Sequence, residues 1–108
     1  MTPLQAIDFL VNRTGDESPW RIAVAANVAG KADDSALVRL VVRDLLDHEV
    51  PMVRRAAILA LAEHVNDELH DRLVVFAKRE QNADVRRAAL YVISGGRMPS
   101  TNRPPALK

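Results

Sequence analysis

The feature that most constrains this 108-residue sequence is a short segment that recurs at a nearly fixed interval. Val53-Arg54-Arg55-Ala56-Ala57 reappears further along the chain as Val85-Arg86-Arg87-Ala88-Ala89. A looser copy, Trp20-Arg21-Ile22-Ala23, precedes Val53 by almost the same interval. A period of 32 to 33 residues is typical of repeat arrays, in which each unit buries its apolar face only by stacking on its neighbours. The sequence therefore predicts a short solenoid.

Apolar residues at helical spacing, separated by capping and turn residues, divide the chain into six short helices. Thr2-Pro3-Leu4-Gln5 predicts a capping box at the start of the first helix, and Ser18-Pro19 predicts a similar start for the second. We expect Gly30 to end the second helix in a left-handed conformation. We expect the fourth helix to run from about Pro51 to His64.

The same period relates the helices that lie between these copies. Leu4, Leu37 and Leu69 follow one another at the intervals that separate the three copies, so each unit is predicted to be a pair of antiparallel helices. We predict one all-α repeat domain over residues 1–96. Residues 97–108 contain three prolines and two arginines without helical periodicity, so we expect a flexible basic tail there.

Composition is that of a globular chain, with 48% apolar and 27% charged residues. With aromatic residues at only 4%, the core must be built from Ala, Val, Leu and Ile. There is no cysteine to form a disulfide, no stretch long and apolar enough to span a membrane, and no basic leader. We therefore expect a cytoplasmic protein.

Charge is divided unevenly although the formal net charge is only +1. Residues 1–71 hold seven Lys and Arg against twelve Asp and Glu, a net charge of −5, whereas residues 72–108 hold eight against two, a net charge of +6. The asymmetry can arise by chance, can help repeats attract one another end to end, or can mark a surface for an anionic partner.

Three segments resemble the HEAT repeat, specifically its short PBS-lyase-like type, whose pattern is an acidic loop, proline, valine, arginine, alanines and leucine. Residues 50–61 carry the pattern, residues 82–90 match it nearly as well, and residues 18–23 form a degenerate copy with tryptophan in place of valine. The resemblance implies a right-handed α-solenoid. It further implies a protein-binding scaffold, since such arrays bind nucleic acid only sometimes and are enzymes only in a few longer relatives.

The resemblance also implies roles for the arginines that follow the apolar repeat position. These arginines would form a ladder of ion pairs with loop acids that holds the repeats in register: Arg21, Arg54 and Arg86 with Asp16, Glu49 and Asp84. Arg55 and Arg87 lie about 100° further round their helices and should be exposed. They belong either to a solvated face or to a contact with a phosphate or an acidic protein surface.

Our leading hypothesis is a non-catalytic scaffold or adaptor that binds another protein. The expected binding face is the ridge of the other helices of each pair, with Arg39, Arg43, Arg72 and Arg79. Self-association is also expected, because the first helix would expose Ile7, Phe9 or Val11 at an uncapped end of the array.

The alternative hypothesis is a nucleic-acid-binding accessory protein that uses the basic final third, with a salt-sensitive affinity. Trp20 and Tyr91 could then stack on bases, although lone aromatic residues at repeat positions more often pack. A third hypothesis, an enzyme similar to HEAT-like DNA-repair glycosylases, lacks an obvious set of catalytic carboxylates.

No cofactor or metal site is predicted. Met52 stands where a zinc-protease pattern beginning at His48-Glu49 needs its second histidine. His64 and His70 lie on either side of a helix break without a third ligand. We therefore interpret the histidines as surface or helix-end residues.

Overall fold

A computed structural model describes residues 1–95, and the regular structure in this part of the chain is helical throughout. The elements are α1 (Pro3–Val11), α2 (Pro19–Ala29), α3 (Ser35–Val42), a 3₁₀ segment (Arg43–Asp47), α4 (Pro51–Ala60), α5 (Asp67–Arg79) and α6 (Ala83–Ile93). This confirms the predicted all-α solenoid of six helices. The predicted tail, residues 97–108, lies outside the described residues.

The helix starts follow from local sequence. Thr2 and Gln5 form the predicted capping box at α1, with the Gln5 N–H donating to the threonine hydroxyl at 3.1 Å. At α2, α3, α5 and α6 the residue before the helix also caps it, because its side-chain oxygen accepts a hydrogen bond from a backbone N–H of the first turn. These capping residues are Ser18, Asp34, Asn66 and Asn82. At α4 a proline at the first helical position replaces the side-chain cap. Such caps satisfy donors that the helix itself cannot.

The chain tightens at the ends of α4 and α3, and the end of α4 differs from the prediction for that reason. α4 ends at Ala60 instead of His64, since the Leu61 N–H is shared between the carbonyls of Ala57 and Ile58 and the chain then turns. The third helix leaves the α conformation at Arg43 and continues as the 3₁₀ segment. Tighter turns of this kind are frequent at helix C-termini.

The helices form two layers. The inner layer is α2, α4 and α6, in which α4 packs directly on both neighbours, and the outer layer is α1, α3 and α5. Contact between successive helices is more extensive in the inner layer than in the outer one. Small buried residues explain the close approach, because alanine methyl groups keep the helix surfaces low. They include Ala25, Ala26, Ala57 and Ala89, all fully buried.

The core between the layers is aliphatic, as the composition predicts. Its largest fully buried side chains include Leu10, Leu45, Leu46, Ile58, Leu61 and Leu73. Trp20 departs from this pattern: it is 65% exposed, whereas its expected repeat equivalents Val53 and Val85 are buried. Ile22, which is 2% exposed, supplies the buried side chain near the start of α2. The predicted packing role of Trp20 is therefore wrong. The buried residues Ile22, Ala26 and Ala29 have the same spacing as Val53, Ala57 and Ala60, so Ile22 and not Trp20 holds the equivalent position in α2.

The α1 surface also differs from the expectation. Ile7 is buried and Phe9 is half-buried, with the Arg21 guanidinium 5.5 Å from the centre of its ring. Of the three residues proposed for self-association, Val11 alone is exposed, at 64%. Leu4, in the first turn of α1, is even more exposed, at 71%.

Gly30 is required for a reason that the sequence pattern did not indicate. Its φ is −62°, so it is right-handed and not left-handed as predicted. A Cβ on Gly30 would lie 2.6 Å from the carbonyl oxygen and 2.8 Å from the Cα of Ala60. The ends of α2 and α4 therefore approach so closely that no side chain fits between them.

His64 is buried beside this junction, at 7% exposure. Of its interpretation as a surface or helix-end residue, the first part is wrong, since it lies inside the turn that follows the end of α4. Its Nε2 lies 2.7 Å from the Gly30 carbonyl oxygen and its Nδ1 lies 2.6 Å from Ser35 Oγ. Because a carbonyl only accepts, Nε2 must carry the hydrogen, and in the neutral ring Nδ1 accepts from the serine hydroxyl. The imidazole thus links the end of α2, the start of α3 and the turn after α4.

Candidate functional site

The outer groove is a surface depression of about 350 Å³ between α3 and α5. Its lining residues are Ala36, Arg39, Leu40, Arg43, Asn66, Glu68, Leu69 and Arg72. It therefore brings together three of the four arginines predicted to form the binding ridge. Arg79, in the last turn of α5, is not among the lining residues.

The three arginines of the outer groove differ in how they are held. Arg39 donates from Nη1 to the His64 carbonyl oxygen at 2.8 Å, which fixes its guanidinium. Arg72 lies 3.4 Å from an Asp47 carboxylate oxygen, in a pair exposed enough to contribute little to stability. Arg43 is exposed and has no hydrogen bond or ion pair from its side chain to any other residue in 1–95. An incoming anion would therefore meet one fixed and two available cations.

The inner groove is a larger depression of about 730 Å³ between α4 and α6. Its lining residues are Arg55, Leu59, Asp84, Arg87, Ala88 and Tyr91. Arg55 and Arg87 are both exposed, and the latter lies 3.2 Å from an Asp84 carboxylate oxygen. Tyr91 is half-buried in the groove wall, so part of its ring remains available to a ligand.

Arg54 joins two units through a different acid from the one expected. Its Nε and Nη2 bind the two carboxylate oxygens of Glu80 at 2.8 and 2.9 Å. Its Nη1 donates to the backbone carbonyls of His48 and Glu49 at 2.9 and 3.1 Å. Glu49 therefore contributes its main chain and not its carboxylate. Glu80 occupies the position that His48 holds in the preceding unit, so the period gave no signal for this partner.

The rest of the expected ladder is not formed among residues 1–95. Arg86 donates to the Glu80 backbone carbonyl at 2.9 Å. Arg21 lies over the Phe9 ring, and among residues 1–95 it forms no ion pair with Asp16. Asp84 pairs with its neighbour in the helix, Arg87. Of the arginines expected to form the ladder, Arg54 is therefore the one whose ion pair joins two units within residues 1–95.

Residues 7–94 match the family model described as HEAT repeats, which covers most of the chain. The chain belongs to the HEAT-repeat family. No curated protein and no solved structure matches it. HEAT repeats generally serve as protein-interaction scaffolds and are generally non-catalytic, so the family directs attention to the two grooves as surfaces for binding.

Among residues 1–95 no group of three or more His, Cys, Asp or Glu is placed to hold a metal ion. Within the same residues no helix has the length and apolar character needed to cross a bilayer.

Glu80 has a pKa below its ordinary value of 4.5, chiefly because the Arg54 guanidinium donates hydrogen bonds to its carboxylate. The Asn82 N–H, 2.9 Å from Oε2, adds to this effect, and together they outweigh the opposing effect of burial. A depressed pKa means that the ionised carboxylate of Glu80 is more stable in the folded protein than in the unfolded chain, so ionisation contributes to folding stability. This contribution is present above the unfolded pKa and is lost as pH falls through the folded one.

We therefore expect the stability of the wild-type protein to fall as pH is lowered below about 4.5. Urea denaturation at a series of pH values measures this. The pKa of Glu17 is also lowered, chiefly because the Thr14 N–H donates to its carboxylate. Glu80→Gln should therefore reduce the pH dependence without abolishing it. An unchanged pH profile in Glu80→Gln would show that this carboxylate contributes nothing.

Proposed function

We propose that this HEAT-repeat chain is a non-catalytic module that binds an acidic segment of another protein in the outer groove. The observation that carries the proposal is the convergence of Arg39, Arg43 and Arg72 on one groove. The planar guanidinium group suits carboxylates because it can donate two parallel hydrogen bonds. The same groove includes Leu40, which is 55% exposed and would contact an apolar residue of the partner.

The arrangement requires little rearrangement on binding. Arg39 is already held by the His64 carbonyl, so the partner does not have to order its side chain. The Arg43 side chain has no competing partner within residues 1–95, and the exposed Arg72–Asp47 pair is easily exchanged. Glu68 also lines the groove and would repel a uniformly acidic ligand at that point. We therefore expect a partner that combines a few acidic side chains with an apolar one.

Charge reversal tests the outer groove. Arg43→Glu with Arg72→Glu should weaken binding of a captured protein partner at least tenfold, as expected for the loss of two charge-assisted contacts. The measurement is affinity capture with wild-type protein, followed by titration calorimetry on the identified partner. Lys78→Glu with Arg79→Glu is the matched control, because it makes the same charge change on α5 outside the groove lining. Equal losses in the groove variant and the control would exclude this groove.

Nucleic-acid binding remains the alternative proposal. Its support is the basic final third of the sequence, whereas Asp47 and Glu68 place negative charge beside the arginines of the outer groove. A DNA duplex and an RNA should be titrated with the same variants across a salt series, with the full chain compared to one truncated after residue 96. A steep fall in affinity with salt, greater for the full chain, would favour nucleic acid over a protein partner.

Self-association and a cytoplasmic location are further parts of the proposal. The exposed Leu4 and Val11 on α1 support self-association, and the absence of cysteine from the sequence is compatible with a reducing compartment. Sedimentation velocity at increasing concentration tests the first, and a sedimentation coefficient that does not change would contradict it. Localisation of a tagged chain by microscopy tests the second.

A further inference from the structure

We propose that the inner groove is a second docking site, which binds an acidic segment in the polyproline II conformation from another protein. This goes beyond the outer-groove function, since the inner groove is formed by α4 and α6 and shares no lining residue with the outer one. The chain would then hold two partner segments at once, one on each layer.

The side chains of the inner groove suit such a ligand. Tyrosine and arginine are enriched at protein interfaces, and both line this groove together with Leu59 and Ala88. Aromatic side chains such as Tyr91 form flat apolar surfaces on which proline rings pack, which is how proline-rich segments are generally recognised. The two arginines would bind the acidic side chains.

The repeat spacing determines which conformation of the ligand fits. Arg55 and Arg87 are one repeat period apart and occupy equivalent positions on neighbouring helices, as do Leu59 and Tyr91. Helices packed in contact have axes about 8–10 Å apart, so the Cα atoms of equivalent residues on α4 and α6 are separated by a similar distance. A polyproline II segment rises about 3.1 Å per residue with three residues per turn, which places residues i and i+3 on one face about 9 Å apart.

Other conformations match this spacing less well. In a β-strand the same face recurs every second residue, about 7 Å apart. In an α-helix successive turns place residues of one face only about 5.4 Å apart. The spacing therefore predicts acidic residues at every third position of the ligand.

The charges allow acidic side chains to enter. Arg55 has no hydrogen bond or ion pair from its side chain to another residue among those described, so its guanidinium is available. Arg87 pairs with Asp84, but the two side chains are 64% and 74% exposed and their pair contributes little to stability. A ligand carboxylate can exchange with Asp84, which itself remains solvated.

Two labelled peptides of identical composition test the proposal by fluorescence anisotropy with the full chain. One repeats Glu-Pro-Pro, which places glutamates at every third position, and the other groups the same glutamates in adjacent pairs. We expect the first peptide to bind about tenfold more tightly. Arg55→Gln and Arg87→Gln should each weaken it roughly tenfold, the usual loss for one charge-assisted hydrogen bond.

Arg43→Gln is the matched control, because it removes an exposed arginine from the outer groove alone. Unchanged peptide binding in this variant, with loss in the Arg55 variant, supports the inner site whether or not the outer groove has a partner. Equal affinity for the two peptides would overturn the proposed spacing, and so would equal losses in all three variants. Absence of binding by the wild-type chain at low salt would overturn the site itself.

Discussion

Replacing Arg54 with methionine is expected to lower the free energy of unfolding by about 2–4 kcal/mol. The Glu80 side chain is only 5% exposed, and the substitution removes both of its contacts with the guanidinium. It also leaves the His48 and Glu49 carbonyls without the donor that satisfies them. The loss is large for a domain of this size, whose total stability is about 5–15 kcal/mol. Urea denaturation followed by circular dichroism measures it at neutral pH.

A double-mutant cycle separates the ion pair from the loss of packing. Arg54→Met combined with Glu80→Met should be more stable than Arg54→Met alone, because no unpaired carboxylate remains. Arg54→Lys keeps the charge but not the bidentate hydrogen bonding, so we expect its free energy of unfolding to lie between those of wild type and Arg54→Met. If the two single substitutions were simply additive, Glu80 would not be the group that Arg54 stabilises.

Gly30→Ala is expected to lower the free energy of unfolding by about 2–3 kcal/mol, within the range observed when an extra methyl group is forced into a packed site. This expected loss of stability is opposite in sign to the usual effect of replacing glycine with alanine. At a right-handed position, replacing glycine with alanine usually stabilises a protein, by about 0.4–1 kcal/mol, because the unfolded chain loses freedom. Here the new methyl group would overlap the Ala60 backbone, so α2 and α4 must separate. The same shift would disturb the hydrogen bond from His64 to the Gly30 carbonyl.

Two further variants test whether the Ala60 backbone is the obstacle. Ala60→Gly should not restore stability to Gly30→Ala, since the nearest atoms are the carbonyl oxygen and Cα, which that substitution leaves in place. Gly15→Ala is a comparison of another kind: φ is +97° and nothing lies within 4 Å of the added methyl group. It should cost about 1–2 kcal/mol through the left-handed backbone alone. A stable Gly30→Ala variant with native thermal unfolding would contradict the proposed close approach.

The fold was predictable because the signals that determine it are local or strictly periodic. Capping side chains such as Thr2 and Asn66 act within a single helical turn of their own position, so the sequence shows the helix starts directly. The helix ends were less predictable. The end of α4 depends on the tightened turn near Leu61, and the glycine at the end of α2 depends on contact with Ala60.

Contacts between repeats were predictable only for residues that recur at the repeat interval. Arg55 and Arg87 follow the repeat and meet in one groove. Glu80 breaks the repeat, because the preceding unit has a histidine at that position, and its pairing with Arg54 arises from the packing of two different loops. Trp20 shows the opposite error, in which similar sequence was taken for equivalent position although Ile22, two residues later, holds the buried position.

The α5–α6 hairpin has a consequence for how the array opens. α5 makes its principal contacts with α6, and α6 in turn is held to the rest of the chain mainly by α4 and by the Arg54–Glu80 ion pair. We therefore expect the hairpin to detach and re-dock as one cooperative step without global unfolding, as supersecondary units commonly do. The inner groove lies between α4 and α6, so a ligand in this groove would bind only when the hairpin is docked on α4. Ligand concentration would thereby set the fraction of time that the terminal hairpin spends open, and amide hydrogen exchange in α6 would slow in proportion.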